Sequence, residues 1–172
     1  MSEDFGHRIQ VDRIRDGDRL DLAAGADERA AIAGRLGLVS LDCLKAHASF
    51  NRDGLEIRAC GRIQASLQQP CVATGEPVRE HIDEPFELLF VPEPRPDRAE
   101  SEIELSEEEC DTILYDGSAI DFGTAVADTL ALAMNPYPRC AEADAILKEA
   151  GVLSESEAGP FAALGRLRKD SE

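Results

Sequence analysis

Residues 43–78 read CLKAHASFNRDGLEIRACGRIQASLQQPCVATGEPV and contain two successive stretches in which apolar and polar residues alternate. Such alternation is typical of half-buried β-strands. Between the two stretches, residues 51–54 (NRDG) are typical of a hairpin turn. Gly61 interrupts the second apolar row and indicates a bulge or strong curvature. The apolar faces consist of Leu44, Ala46, Ala48 and Phe50 on the first strand, and Leu55, Ile57, Ala59, Ile63, Ala65 and Leu67 on the second.

The second strand ends in a proline-bounded corner, residues 69–78 (QPCVATGEPV), after which the alternation resumes. Strands that follow one another through short turns run in opposite directions, so this part of the chain predicts an antiparallel sheet. We expect the sheet to be curled toward a partial barrel. The apolar residues of the third strand are Val78, Ile82, Phe86, Leu88 and Phe90.

Helices are predicted on both sides of this sheet region. Asp27 is a suitable cap for a helix that runs to about Leu36 and closes at Gly37. Asp121 caps a second helix, which Pro136 ends. A short third helix is expected over residues 142–150, and residues 5–14 are expected to form a leading strand. The predicted fold class is therefore α+β.

The length of 172 residues predicts one main domain, which we place at residues 1–140. Within it, residues 93–111 carry nine acidic residues against two arginines and predict a loose acidic loop. Residues 141–172 are expected to add the short helix, a linker and an amphipathic basic tail. A short helix with apolar and basic residues is typical of a docking peptide. Its candidate binding residues are Phe161, Leu164, Arg166 and Arg168.

The overall charge limits the classes of partner. Asp and Glu number 35 against 18 Lys and Arg, which gives a net charge of −17. Such a surface repels phosphate backbones, so we expect no DNA binding and RNA contact at most indirectly. The acidic surface attracts basic proteins instead. A requirement for solubility alone also explains the high net charge. No apolar signal segment and no long apolar run occur, so we expect a cytoplasmic protein without membrane contact.

The five cysteines occur without any close pair, and their number is odd. Zinc sites in small domains use such close pairs, so we expect no metal and no other cofactor. The sequence contains no G-x-S-x-G and no glycine-rich phosphate loop. His7, His47 and His81 fall on predicted strands, where surface histidines are ordinary. The sequence therefore isolates no catalytic constellation.

Two short segments remain as candidate binding sites. The corner contributes Cys71, Thr74 and Glu76. The exit from the second helix contributes Pro136, Tyr137 and Arg139, which form a stiff segment that is easily ordered on a partner. Two interpretations of the exit stay open: recognition of a partner, or a purely architectural role with the Tyr137 ring packed down.

The order of these segments resembles the YceD-like family, also called the large ribosomal RNA subunit accumulation protein family, in its alphaproteobacterial form. The matching segments are residues 28–36, 61–65, 69–78 (QPCVATGEPV), 120–123 (IDFG), 130–139 (LALAMNPYPR) and 159–168 (GPFAALGRLR). The resemblance implies a bacterial cytoplasmic protein that supports accumulation of large-subunit ribosomal RNA, without known catalytic activity. It also implies paired cysteines that look metal-binding in many relatives. Here only Cys71 and Cys140 stand at comparable places, which argues against a zinc role.

Three hypotheses follow from the sequence. The leading hypothesis is a non-catalytic factor that contacts a basic ribosomal protein or assembly factor. The second is a small enzyme, a hydrolase or an RNA-processing activity, with a site near the Cys71–Pro77 corner. The third is a cysteine-based metal or redox module.

Overall fold

The computed structural model describes residues 5–93 and 111–152. The chain divides into two compact units, and each is described by itself. Unit 1 consists of Met1–Gln69 and Arg79–Asn135, and unit 2 consists of Pro70–Val78 and Pro136–Glu172. The predicted domain boundary at residue 140 stays a prediction.

The described residues form a mixed α+β fold, which confirms the predicted fold class. A five-stranded sheet has the order β2-β3-β4-β5-β6, and β1 pairs with β7 in a separate two-stranded sheet. The strands are β1 (Arg8–Gln10), β2 (Arg19–Ala23), β3 (Ser40–Asp53), β4 (Glu56–Pro70), β5 (Pro77–Pro92), β6 (Asp111–Tyr115) and β7 (Ala119–Asp121). The helices are α1 (Ala26–Leu36), α2 (Phe122–Ala133) and α3 (Ala143–Glu149), and a single 3-10 turn spans Val11–Arg13.

The predicted hairpin is confirmed as the antiparallel pair β3 and β4. The alternation sets its register, because one face must be buried. Every residue of the two predicted apolar rows is buried except Leu55. That residue lies in the turn between the strands and is 56% exposed, so its predicted inward position is wrong.

Gly61 does not mark a bulge. It pairs with Ala48 in regular register, and the one register shift of this hairpin lies between Leu41 and Cys43. A Cβ atom at Gly61 would lie 2.0 Å from the backbone oxygen of His47 and 2.8 Å from Cζ of Phe86. Glycine is therefore required here by the close approach of the neighbouring strand and of an aromatic ring.

The prediction of an antiparallel sheet is wrong at one edge. Strand β6 pairs with β5 in parallel, with Phe90 opposite Ile113. A parallel connection needs a dozen or more residues, and residues 93–110 supply that length. Elsewhere the strands run antiparallel: Ser66 of β4 contacts His81 of β5, and Arg58 of β4 contacts Glu87 further along β5. The described pairing ends at β2 and β6, so the curled, partial-barrel form stays a prediction.

The N-terminal region also differs from the prediction. The expected strand over residues 5–14 is only β1, followed by the 3-10 turn, while β2 and β7 were not predicted. These strands have three to five residues, too few to show a clear period. The N-cap residue of α1 is Gly25, whereas Asp27, the predicted cap, lies inside the helix. The Glu28 carboxylate accepts the Gly25 N–H at 2.6 Å and thereby satisfies this end of the helix.

Helices α2 and α3 form as predicted. Asp121 caps α2 by accepting the backbone N–H of Thr124 at 3.1 Å. The α2 side chains pack on the inner face of the sheet: the Phe122 ring lies 5.3 Å from that of Phe50 in edge-to-face geometry, and 6.2 Å from that of Phe86. Burying each such ring contributes about 2 kcal/mol. Among the described residues, every helix is too short or too polar to cross a membrane.

Candidate functional site

The corner between β4 and β5 is shaped by backbone hydrogen bonds within unit 2. The N–H of Cys71 donates to the carbonyl of Glu76 at 2.7 Å, and the N–H of Gly75 donates to the carbonyl of Cys71 at 2.8 Å. Gly75 has a φ of 76°, a left-handed conformation that favours glycine. The N–H of Val72 donates to the carbonyl of Pro138 at 2.9 Å, so the exit segment lies beside the corner.

Cys71 is a buried thiol, 3% exposed, at the centre of this arrangement. Its sulfur accepts the backbone N–H of Cys140 at 3.3 Å. A hydrogen bond from the Thr74 hydroxyl is the main reason that the pKa of Cys71 falls to about 6, and the Cys140 N–H adds to the effect while burial opposes it. Hydrogen bonds of this kind stabilise the charged form of an acid. These hydrogen bonds therefore favour the thiolate form of Cys71.

Thr74 connects the two cysteines. Its Oγ1 accepts the N–H of Glu76 at 3.2 Å and lies 3.4 Å from Sγ of Cys140. A hydroxyl has one hydrogen and two acceptor positions. When the Thr74 hydroxyl donates its hydrogen to the Cys71 sulfur, its oxygen can still accept hydrogen bonds from the Glu76 N–H and from the Cys140 thiol. The structure thus brings Cys71 and Thr74 together with Cys140, while Glu76 contributes its backbone and exposes its side chain.

The donor set at the corner does not fit a zinc ion. A structural zinc site takes four ligands, and two thiols supply half of that number. Across residues 5–93 and 111–152, no group of three or more His, Cys, Asp or Glu is placed to hold a metal. We therefore derive no step through a metal.

The exit segment is mostly exposed. Tyr137 is 73% exposed, so the interpretation in which its ring packs down is wrong. Pro136 is also exposed, whereas Pro138 is buried. Arg139 donates to the Asp144 carboxylate of α3 at 3.0 Å, which fixes the direction of its side chain. Phe161, Leu164, Arg166 and Arg168 lie outside the described residues, and their role stays a prediction.

Unit 1 contains a groove of about 570 Å³, which we call the α2 groove. It lies between α2, β5 and β6, together with residues of β1 and β7. The buried side chains of Leu88 and Phe90 form part of its wall, and the exposed side chains of Leu114 (54%) and Leu132 (77%) extend the apolar surface outward. The groove thus combines an apolar lining with open access.

The charged residues of the α2 groove are mainly acidic. Asp116, Asp121 and Asp128 line it against a single cation, Arg8. Asp116 contacts Arg8 at 3.2 Å and accepts three hydrogen bonds, from the Ser118 hydroxyl and from the N–H groups of Ser118 and Ala119. The Ser118 hydroxyl is the main cause that lowers the pKa of Asp116 to about 2. Asp116 therefore remains charged across the physiological pH range.

The three histidines make no catalytic arrangement that the described residues reveal. His47 lies on β3 with its Nδ1 2.6 Å from Asp21, and both side chains are exposed. His81 lies on β5 with its Nδ1 2.9 Å from the Ser66 hydroxyl. His7 does not lie on a strand, contrary to the prediction, since β1 begins at Arg8.

Sequence reasoning missed the α2 groove. Leu132 gave a signal that could have found it: it lies off the row of Phe122, Val126 and Leu130, which are spaced by four and form the buried face of α2. An exposed leucine is ordinary by itself, and it indicates a contact surface only where further exposed apolar residues adjoin it. Leu114 gave no such signal, because its exposure depends on the edge position of β6.

The described units define a small acidic α+β protein with a thiol-bearing corner and an apolar groove bordered by aspartates. The family model described as large ribosomal RNA subunit accumulation protein YceD matches residues 59–168, more than half of the chain. The chain belongs to this family, as its sequence resemblance indicated, and the family is named as an accumulation factor rather than as an enzyme. No curated protein and no solved structure matches the chain.

Proposed function

We propose that this protein supports the accumulation of large-subunit ribosomal RNA as a non-catalytic factor that binds a basic ribosomal protein or assembly factor. In this proposal it acts in the cytoplasm, where ribosomes assemble, and contacts RNA at most indirectly. The family supports the role in RNA accumulation. The choice of a basic protein partner rests on the α2 groove.

The groove offers what a basic segment with apolar side chains requires. Its apolar lining, extended by Leu114 and Leu132, provides area that gains free energy when water is removed from it. Of the three aspartates around it, Asp116 pairs with Arg8 and Asp128 pairs with Arg35, each at 3.2 Å. The lining therefore carries a surplus of one negative charge, which attracts lysine or arginine and orients the partner. The net charge of −17 adds long-range attraction, which raises the rate of association with cations.

The same charges disfavour direct binding of ribosomal RNA. Affinity for nucleic acid comes largely from cations that neutralise phosphates. Arg8 is the one cation among the residues that line the groove, and Asp116 already neutralises it. A basic protein that itself binds ribosomal RNA meets both requirements, because it connects an acidic factor to an RNA that the factor repels.

An affinity capture tests this proposal. The full-length protein is immobilised and exposed to bacterial lysate, with and without nuclease, at about 0.1 M and about 1 M salt, between which the Debye length falls from about 10 Å to about 3 Å. We expect basic ribosomal or assembly proteins that survive nuclease treatment and are released at high salt. A purified candidate must then rebind. Retention of naked ribosomal RNA, or capture that nuclease abolishes, contradicts the proposal.

One observation bears on the hydrolase alternative. Cys71 has the lowered pKa that a cysteine nucleophile needs. However, the groups that lower it are the Thr74 hydroxyl and backbone N–H groups, not an imidazole that could shuttle a proton. Its side chain is also nearly inaccessible to a macromolecular substrate. We therefore favour the binding function over hydrolysis.

A further inference from the structure

The corner of unit 2 contains more chemistry than partner binding uses. Four cysteines lie in the described residues, at positions 43, 60, 71 and 140, and all are free thiols. Of these, Cys71 and Cys140 approach each other although 69 residues separate them in sequence. Because N and Cα of one residue are about 1.5 Å apart, the Cα of Cys140 lies within about 5 Å of the Cys71 sulfur. This separation suits a disulfide after a side-chain rotation.

We propose that Cys71 and Cys140 form a dithiol that hydrogen peroxide converts to an intramolecular disulfide, with Cys71 as the attacking sulfur and Cys140 as the resolving sulfur. In the first step, the Cys71 thiolate attacks one peroxide oxygen, the O–O bond breaks, and Cys71 becomes a sulfenic acid while hydroxide leaves and takes up a proton. In the second step, the Cys140 sulfur attacks the Cys71 sulfur, the S–O bond breaks, and water leaves. Two thiols lose two electrons, and one peroxide is reduced to two water molecules.

The environment of each sulfur fits its role. Cys71 accepts hydrogen bonds from Thr74 and from the Cys140 N–H at 3.3 Å, and these hydrogen bonds favour its reactive thiolate form. Its burial restricts attack to a small oxidant such as hydrogen peroxide. Cys140 is only half-buried and contacts the same Thr74 hydroxyl, 3.4 Å away, so it is positioned to reach the oxidised Cys71.

Cys60 provides a contrast within the same chain. Burial is the main cause that raises its pKa, and the Glu87 carboxylate raises it further. A neutral thiol reacts slowly with peroxide. Oxidation should therefore be selective for the pair at the corner.

The test uses the full-length protein with Cys43, Cys60 and Cys110 replaced by serine, so that the pair alone remains. The protein is freed of metal with a chelator, treated with hydrogen peroxide, and examined by thiol labelling and peptide mass spectrometry. We expect both thiols to disappear together, one peptide pair joined through residues 71 and 140, and full recovery with dithiothreitol. Circular dichroism before and after confirms that the chain is folded.

Two further variants assign the roles. In Cys140→Ser, oxidation should stop at a sulfenic acid on Cys71, which dimedone traps when it is present as the chain is unfolded. In Thr74→Val, disulfide formation at pH 7 should be about tenfold slower, because the pKa of Cys71 rises. If either variant fails to fold, the proposal is decided by the disulfide measurement on the protein that retains only Cys71 and Cys140. Persistent free thiols, disulfides between two chains, or irreversible oxidation of Cys71 with Cys140 still free would overturn it.

Discussion

The ring of Phe86 covers Gly61, so closely that a methyl group at position 61 would lie 2.8 Å from Cζ of Phe86. The same methyl group would lie 2.0 Å from the backbone oxygen of His47, which cannot move without disturbing β3. The centre of the hairpin thus depends on the absence of one side chain.

Gly61→Ala should lower the free energy of unfolding by at least about 2 kcal/mol, because overpacking forces the strands or the ring apart. Gly34→Ala is the matched control: Gly34 lies in α1, and nothing lies within 4 Å of an added Cβ. That change should stabilise the protein by about 0.5–1 kcal/mol. Urea denaturation of both variants measures the difference, and equal stabilities would contradict the packing described here.

The rate at which hydrogen peroxide oxidises Cys71 should be half-maximal near pH 6 and reach a plateau above about pH 7. The reactive species is the thiolate, and the pKa of Cys71 is lowered to about 6. Cys60 is the internal control, since the pKa of its thiol is raised and its rate of oxidation should still increase above pH 9. The reaction is stopped with acid and the chain is unfolded, after which iodoacetamide labelling of the remaining thiols and peptide mass spectrometry report both sites at once. Identical profiles for the two cysteines would rule out the assigned hydrogen bonds.

Asp116→Ala should destabilise the protein at neutral pH, and the difference from wild type should shrink as the pH falls. The pKa of Asp116 in the folded protein, about 2, lies below its ordinary value of 3.8, so the ionised carboxylate stabilises the folded state. This contribution to the free energy of unfolding is complete above about pH 4 and is lost as the pH falls toward 2. Asp16→Ala, at an exposed turn, is the control for the loss of one surface carboxylate. Urea denaturation of wild type and of each variant at several pH values between 2 and 7 measures the difference in stability. A difference between Asp116→Ala and wild type that does not change with pH would refute the prediction.

Much of the fold follows from local pattern. The β3–β4 hairpin and the capped helix α2 were predicted correctly, because alternation and a capping aspartate act over a few residues. The parallel pairing of β5 and β6 was not predicted. Residues 93–110 separate the two strands in sequence, and no local pattern sets the direction in which the strands pair. For the same reason, Cys71 was selected as a candidate but its closeness to Cys140 was not foreseen.

Leu132→Arg should weaken binding of a basic partner by about tenfold or more, because it removes exposed apolar area and adds a repelling charge in the α2 groove. Val39→Arg is the matched control, since Val39 is also exposed (54%) but does not line this groove. Titration of each variant with the purified partner gives the two affinities. An equal loss of affinity in both variants would show that net charge alone, and not contact with the α2 groove, accounts for the change.

The central claim is that the α2 groove contacts a basic protein, and photo-crosslinking in living cells tests it most directly. A photoreactive amino acid is placed at position 132 and, as a control, at position 39, and the crosslinked species are identified by mass spectrometry and RNA sequencing. We predict that position 132, and not position 39, crosslinks to a basic ribosomal or assembly protein. Crosslinks from position 132 to ribosomal RNA itself, or the same products from both positions, would contradict the claim.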